Sequence, residues 1–441
     1  MRIDSKKYLN AGLDKGFEVY QISYGFTTTT SLDLVNGEIE SQKIGEVSAI
    51  GSHGLINGRE GTFVTDSIDR KTPLLLADSA YESALYGKEE KKENFFDGKG
   101  KYKRTKTALK EFKPASLPEL RNLAFQLYDE VKKQDPRITN VEVSLSCGQN
   151  KVHLLNSLGL NHHNERKALL GAISIVATDK NGKNRTGMIS GFSFQNLDAL
   201  KDDLRNKIDK LIHATVDFFS ADPVESKDYK VVLSPEVVSS LLLAYVSQLS
   251  ARLVKEKLSI FEGKLSQKIA SDKLTVRHTP HVPCFLSSSF DSEGVPTKDF
   301  TLIDKGVLKT YFHSLETAHY FHVEPNGCGL GKGNAGPIVL TIKPGRDSQE
   351  DLFRKMKDGI YISDVSGLNC GIDSASMNFS LPCEGYVIKD GKKERSTTMI
   401  VMAGNLLDLF NDVLAVGKDS ETQARSVVPS LLIKKVAISG K

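Results

Sequence analysis

The sequence predicts an α+β protein made of two strand-rich domains with interspersed helices. Three observations carry this expectation. At 441 residues the chain exceeds what one ordinary core accommodates. Strand-like and helix-like stretches follow one another irregularly, whereas a doubly wound parallel sheet needs strict alternation. A polar stretch at 222–228 is followed at once by a strand at 229–233 and a fresh helix start. That break divides an N-terminal α+β domain, 1–228, from a C-terminal β-rich domain with one long helix, 229–441.

The first half opens with a helical stretch near residues 6–13 and continues in alternating runs over 17–68. Asn36-Gly37 and Asn57-Gly58 mark tight hairpin turns, because both residue types tolerate positive φ, and β-rich runs at 31–35 and 61–64 adjoin them. Residues 74–86 read as a helix. The lysine-rich run 88–106 carries Phe95, Phe96 and Tyr102, a mixture that resembles an RNA-binding patch. Glu89, Glu90, Glu93 and Asp97 interrupt its positive charge, however, so a solvated loop is the expectation. Ser116 then caps a helix with Pro118 in its first turn and Leu120, Leu123, Leu127 and Val131 as its buried stripe. Strands at 141–146, 152–156, 168–178 and 188–194, with an Asn181-Gly182 turn, lead to a helix striped by Leu197, Leu200, Leu204, Ile208 and Leu211. This succession suggests two copies of a strand-rich unit plus a helix.

The second half begins where Ser234 caps, Pro235 opens and Glu236 suits the positive end of a helix. Val238, Leu242, Tyr245, Leu249 and Leu253 recur at helical spacing, which predicts about 20 residues of helix, roughly 30 Å long. Strands are expected within 301–312, 338–342, 385–388 and 397–402, with short helices after Ser348 and Asn405.

Composition narrows the function. Hydrophobic residues at 39%, charged residues at 26% and 14 prolines fit a folded, soluble protein. The net charge of +4, from 59 basic and 55 acidic side chains, is far below the footprint of a nucleic-acid binder. The longest apolar helical stretch, 241–246, is too short for a bilayer, and Met1-Arg2-Ile3-Asp4-Ser5 shows no apolar signal region. A cytoplasmic location without membrane contact is expected. The five cysteines are scattered and form no C-x-x-C pair, so they read as reduced thiols.

Several clusters invite a chemical reading. His278, His281 and Cys284 offer imidazole and thiolate donors suited to zinc, but Pro280 and Pro283 forbid a helix and strand spacing separates the three. Surface histidines beside a buried cysteine are the simpler expectation. His313, His319 and His322 flank an expected short helix with Glu316 at hand; His319 and His322 span one turn and could share a face, but without a third ligand of clear spacing they read as satisfied or surface groups. The run Gly327-Cys328-Gly329-Leu330-Gly331-Lys332-Gly333 fails the phosphate-loop pattern at Asn326 and Gly333. Its glycines suit a flexible loop, or a backbone surface at Gly329, Gly331 and Gly333 that accepts an extended peptide. Asp291 and Glu293 share a strand face and make a candidate acid/base or peptide-contacting pair, with a structural role the simpler expectation. No Gly-x-Ser-x-Gly elbow is present.

Segments of the second half resemble the TldD/TldE (PmbA) family in order and in type. They are Leu233-Ser234-Pro235-Glu236, Phe290-Asp291-Ser292-Glu293-Gly294-Val295-Pro296-Thr297, Ile303-Asp304-Lys305-Gly306-Val307-Leu308-Lys309, Ala403-Gly404-Asn405-Leu406 and Ser426-Val427-Val428-Pro429-Ser430-Leu431-Leu432-Ile433. In the first half, Leu34-Val35-Asn36-Gly37-Glu38-Ile39-Glu40 and the run through Gly61 are similar. The resemblance implies a peptide-processing pair, associated with trimming unfolded peptides and maturing peptide antibiotics, and its members have also been labelled modulators of DNA gyrase. One subunit of such a pair carries a His-Glu-x-x-x-His helix and a Cys as metal ligands; the other is related but lacks them. A metallopeptidase needs three protein ligands and an open position for an activated water. Here the corresponding positions fall at Leu242, Leu243 and Ser247, and the segment where the Cys would stand, 422–427, reads Thr-Gln-Ala-Arg-Ser-Val. The resemblance therefore implies the metal-free subunit: no cofactor of its own, a metal-bearing relative or a second copy as partner, extended peptide as substrate, and no nucleic acid.

Overall fold

The computed structural model describes residues 4–89, 91–105, 107 and 111–441, and for Glu93 the backbone alone. Glu90 and Lys106, members of the lysine-rich run, lie outside the described residues. The chain divides into two compact units. The first comprises Met1–Val216 together with Ser289–Pro296 and Ala318–Glu324; the second comprises Asp217–Ser288, Thr297–Thr317 and Pro325–Lys441.

In the first unit, six antiparallel strands form one sheet: β1 (Val19–Val35), β2 (Glu38–Ile56), β3 (Arg59–Thr65), β4 (Ile138–Asn156), β5 (Asn161–Thr178) and β6 (Asn184–Ser193), in the order β3-β2-β1-β4-β5-β6. The turns at Asn36-Gly37 and Asn57-Gly58 take positive φ at all four residues (50°, 82°, 52° and 71°), the geometry of primed hairpin turns. Helices α1 (Ser5–Asp14), α2 (Thr72–Ala84), α3 (Leu117–Lys132) and α4 (Leu197–Val216) complete the unit, so the succession α-β-β-β-α occurs twice. All four pack on one face. Tyr20, Ile22 and Tyr24 share a core cluster with α1 and α2, while Leu32 and Leu34, an even number of residues further along β1, share one with α3 and α4. Where two strands were expected at 141–146 and 152–156, one continuous β4 runs from Ile138 to Asn156, because β1 and β5 pair with it through the polar middle that breaks the apolar pattern.

The lysine-rich run is a second difference. Its described lysines are exposed, but Phe95 is buried against Val19 and Leu55, and Phe96 and Tyr102 pack with Leu154, Leu160 and Phe290. The segment is an anchored strap, since the rings remove enough apolar area from water to outweigh the ordering of a short chain.

In the second unit, strands β7 (Lys227–Leu233), β14 (Gly359–Val365), β15 (Asn378–Lys389), β16 (Lys392–Asn405) and β20 (Leu431–Ser439) pair in succession. Val401–Ala403 of β16 meets Ser439–Ala437 of β20 and closes them into a ring, with β17 (Val413–Val416) beside β20. A second sheet orders β10-β9-β8-β13-β19-β18, its strands being β8 (Val276–His278), β9 (Phe300–Asp304), β10 (Val307–Leu308), β13 (Leu340–Ile342), β18 (Glu421–Thr422) and β19 (Ser426–Val428). β11 (Gly329–Gly331) and β12 (Asn334–Ala335) form a separate hairpin. Helices are α5 (Pro235–Ser247), α6 (Ala251–Lys255), α8 (Gln349–Met356) and α9 (Leu406–Asn411), while α7 (Leu315–Tyr320) begins in this unit and has Ala318–Tyr320 in the first.

The long helix expected from residue 235 onward is thus two helices. Phe312 donates its N–H to the Leu249 carbonyl and its own carbonyl accepts from Ala251 N–H, both at 2.9 Å. This bridge at Ser250 takes over backbone groups that a continuous helix would use internally.

Leu127 is fully buried between α3 and the sheet, whereas Leu74 on α2 is 62% exposed. Leu127→Ala is expected to cost about 2–5 kcal/mol, read as a lowered urea midpoint, and Leu74→Ala no more than about 0.5 kcal/mol.

Candidate functional site

Ser234 caps α5 by accepting the Val237 N–H at 3.3 Å, and Pro235 and Glu236 occupy the first turn as their backbone preferences dictate. From there the helix is apolar nearly all round. Val237, Val238, Leu241, Leu242, Tyr245 and Val246 are all buried. The helix packs against β14, α9 and β19, and its link to β19 is a buried hydroxyl pair, Ser239 Oγ to Ser426 Oγ at 2.7 Å. Residues 242–247 and the segment 422–427, the positions that the family resemblance singled out, therefore belong to elements that pack on each other. Their chemistry does not fit a metal. Leu242 is buried, Leu243 is half-buried, and Ser247 is exposed and donates its hydroxyl to the Ala244 carbonyl at 2.7 Å.

The histidine trio is also spoken for. His278 is fully buried, with Nδ1 3.0 Å from the Lys298 carbonyl and Nε2 accepting the Ile338 N–H at 3.2 Å. Those partners fix the proton on Nδ1, and desolvation pushes the ring pKa down to about 4. His281 faces elsewhere. Thr297 donates its hydroxyl to the Ser288 carbonyl at 2.7 Å, so it accepts from His281 Nε2 at 3.0 Å, and Nδ1 lies 3.3 Å from Asp299. Cys284 is fully buried and its thiol points at the carbonyls of Gln423 and Ala424, both at 3.0 Å. The loop that Pro280 and Pro283 impose sends the three side chains to three different sets of partners. Among the described residues no group of three or more His, Cys, Asp or Glu is placed to hold a metal ion.

In the second histidine cluster, His313 is buried and desolvation lowers its pKa to about 4, while His319 and His322 are exposed. His322 follows the end of α7 with φ 54°, which breaks the one-turn spacing that a shared face required. Glu316 instead pairs with Lys255 at 2.6 Å.

The glycine run is ordered as a hairpin and is not a flexible loop. Lys332 and Gly333 have φ of 51° and 74°, a two-residue primed turn joining β11 to β12. Gly333 suits the positive φ, and a Cβ there would have to push aside the end of the Glu316 side chain, whose Oε2 would lie 2.2 Å away. Arg252 holds the turn from α6 by donating to the Lys332 carbonyl at 3.3 Å and to Asn334 Oδ1 at 2.9 Å. Leu330, between Gly329 and Gly331, is 53% exposed, and among the described residues no third strand joins this two-stranded sheet.

Asp291 is buried, and its Oδ1 accepts the backbone N–H groups of Glu293 at 2.9 Å and Val295 at 3.0 Å. It ties its own turn, in which Gly294 has φ 85°. Glu293 is half-buried on the same turn.

Residues 110–226 match the PmbA/TldA metallopeptidase central domain and residues 226–440 the C-terminal domain. A metalloprotease of Methanocaldococcus jannaschii is 27% identical over 421 residues, covering 91% of this chain and 90% of that protein. The metalloprotease PmbA of Escherichia coli O157:H7 is 26% identical over 213 residues, 48% of this chain and 46% of that protein. Among solved structures, a proposed modulator of DNA gyrase from Thermotoga maritima superposes with a TM-score of 0.87 at 26% identity over 99% of both chains. TldE from Thermococcus kodakarensis superposes with a TM-score of 0.86 at 20% identity, covering 99% of this chain and 100% of that one. Among the described residues no helix is long and apolar enough to cross a membrane.

A buried histidine with a lowered pKa binds its proton more readily unfolded than folded, so it supports the fold above about pH 6.5 and withdraws that support as pH falls toward 4. For His278 the full effect is at most about 3 kcal/mol. Urea midpoints followed from pH 7 to pH 4 are expected to fall in the native protein, and more gently in H278Q.

Proposed function

Because the chain belongs to the PmbA/TldD metallopeptidase family, we propose that it is the metal-free member of a peptide-processing pair: it binds extended peptide and relies on a metal-bearing relative for hydrolysis. The observation that carries this reading is the filling of α5. A hydrolytic zinc site needs imidazole, carboxylate or thiolate donors, and positions 242, 243 and 247 supply two leucines and a serine already bonded to its own helix. Segment 422–427 offers no thiolate to complete a ligand set. No hydrolytic step is assigned to this chain, and its side chains are left the task of holding substrate.

Extended peptide is the substrate class that the Gly329–Gly331 strand favours. A short strand beside one partner strand presents main-chain donors and acceptors to an added chain, and glycine at alternate positions lets that chain approach closely. Arg252 and the primed turn keep the strand preorganised, which lowers the cost of binding. The partner in this reading is a relative bearing His-Glu-x-x-x-His, and the location is cytoplasmic.

Two measurements test it. Purified alone, the chain is expected to contain less than stoichiometric zinc and to cleave no unfolded peptide. Mixed with a His-Glu-x-x-x-His relative, it is expected to co-purify with it and raise its peptidase rate; stable self-dimers that leave that rate unchanged would remove the partnership. Separately, Leu330→Pro deletes one main-chain donor from the exposed strand and is expected to weaken binding of an extended peptide about tenfold while leaving the melting temperature in place.

A further inference from the structure

Strand β2 has a stretch whose outer edge the proposed function does not use. The turn at Asn57-Gly58 joins Ile56 to Arg59, and residues flanking a two-residue turn exchange both of their main-chain bonds, so Ile56 points its N–H and C=O at β3. Alternate residues repeat this. Even-numbered ones turn toward the β3 side, and odd-numbered ones toward β1, as the Leu55 carbonyl does in accepting the Glu18 N–H at 2.8 Å. The register with β1 runs unbroken from Leu55 to Ser41, whereas β3 pairs only as far as Ile50. Gln42, Ile44, Glu46 and Ser48 therefore direct their main-chain donors and acceptors outward, and among the described residues no strand or side chain bonds to them. Both faces are open as well. Core packing on the helix side reaches Ile39 at one end and Ile50 at the other, and Gln42 through Val47 between them are exposed. Ile44 is 75% exposed on one face and Val47 70% exposed on the other.

We propose that this edge receives an extended peptide as an added strand, lying along residues 42–48 and ending where β3 begins. A row of unpaired N–H and C=O groups is a template for another strand. Because β1 already holds β2 extended and in register, the ladder is preformed and binding orders little of the protein. Ligand residues opposite Ile44 and Val47 are three apart and fall on opposite faces, so β-branched side chains at those two places cover apolar surface that now meets water. With neither face enclosed, the main-chain ladder carries most of the affinity and the demands on ligand sequence are loose. A second copy of this chain fits less well. A stable dimer engages about 20–30 residues a side, and the free edge supplies only residues 42–48.

The inference rests on the peptide-holding reading, and the test separates the two. Amide hydrogen exchange of the full chain, read by mass spectrometry, would use the peptide Thr-Ser-Val-Ser-Thr-Val-Ser-Thr and a control N-methylated at its two central residues, which removes a donor from each edge of the peptide. At saturation the unmodified peptide is expected to slow exchange across residues 42–48 about tenfold or more, and the control to leave it within about twofold of the free protein. Ile44→Pro deletes one outward donor at an edge position that tolerates proline, and is expected to remove most of that slowing with an unchanged melting temperature. Equal slowing by peptide and control overturns the strand addition. Slowing confined to residues 329–331 overturns this inference and leaves the peptide-holding reading in place, whereas no slowing at either strand overturns both. Protection of residues 42–48 that rises with protein concentration in the absence of peptide shows a second copy on the edge and overturns the choice of partner. If Ile44→Pro lowers the melting temperature, the comparison of peptide with control decides alone.

Discussion

A helix that is apolar on almost every side exists in water only if the surrounding protein encloses it, and α5 imposes that constraint on the second unit. Its buried valines and leucines are covered by β14 from the closed ring of strands, by β19 from the short-stranded sheet and by α9. Tyr245 joins this core through Phe261 and Phe410 and donates its hydroxyl to the Ile269 carbonyl, so even its polar end is satisfied inside. The same packing explains the chemistry of the region. A place filled by aliphatic side chains has neither the donors nor the dielectric to hold a divalent ion, and the hydroxyl pair between Ser239 and Ser426 closes it with a neutral bond.

The polar groups that might otherwise have reacted are used to join backbone segments. His278 links the carbonyl of Lys298 to the N–H of Ile338, and Cys284 presents its thiol to two successive carbonyls at 423 and 424. Each satisfies main-chain groups that irregular backbone would leave buried and unpaired. Short strands and tight loops make such side-chain bonds necessary, because these elements cannot pair all of their backbone with one another.

In the first unit one sheet face supports two helix pairs, and the apolar residues divide between them along the length of β1 and β4. The opposite face near β4 and β5 is covered instead by the strap and by the turn that Asp291 ties. Glycine permits that closeness: a side chain at Gly98 would come within 2.7 Å of the Leu160 backbone. The strap therefore shows two characters at once, aromatic rings inward and ammonium groups outward.

Local patterns in the sequence determined a good deal. The primed turns at Asn36-Gly37 and Asn57-Gly58 follow from residues that tolerate positive φ. The cap at Ser234 and the stripes of α3 and α4 follow from spacing and backbone preference over a few residues. The α+β class and the family resemblance, carried by ordered segments of the second half, needed no coordinates, and neither did the identities of residues 242, 243 and 247. Tertiary structure decided what depends on partners distant in the chain. The helix from Pro235 ends at Ser247 because Phe312, 65 residues further on, takes its backbone groups, and no periodicity within the helix records that. The polar middle of β4 is strand because two neighbours pair with it. The three sequence-adjacent donors His278, His281 and Cys284 diverge because groups from three other segments, near 297–299, 338 and 423–424, claim them. Whether the charged run was solvated or anchored depended on apolar partners at Val19, Leu55, Leu154 and Phe290, which only the fold brings alongside. Propensity acts over a turn or two of chain, whereas hydrogen-bond competition and burial act across space, and the boundary between what could and could not be read lies there.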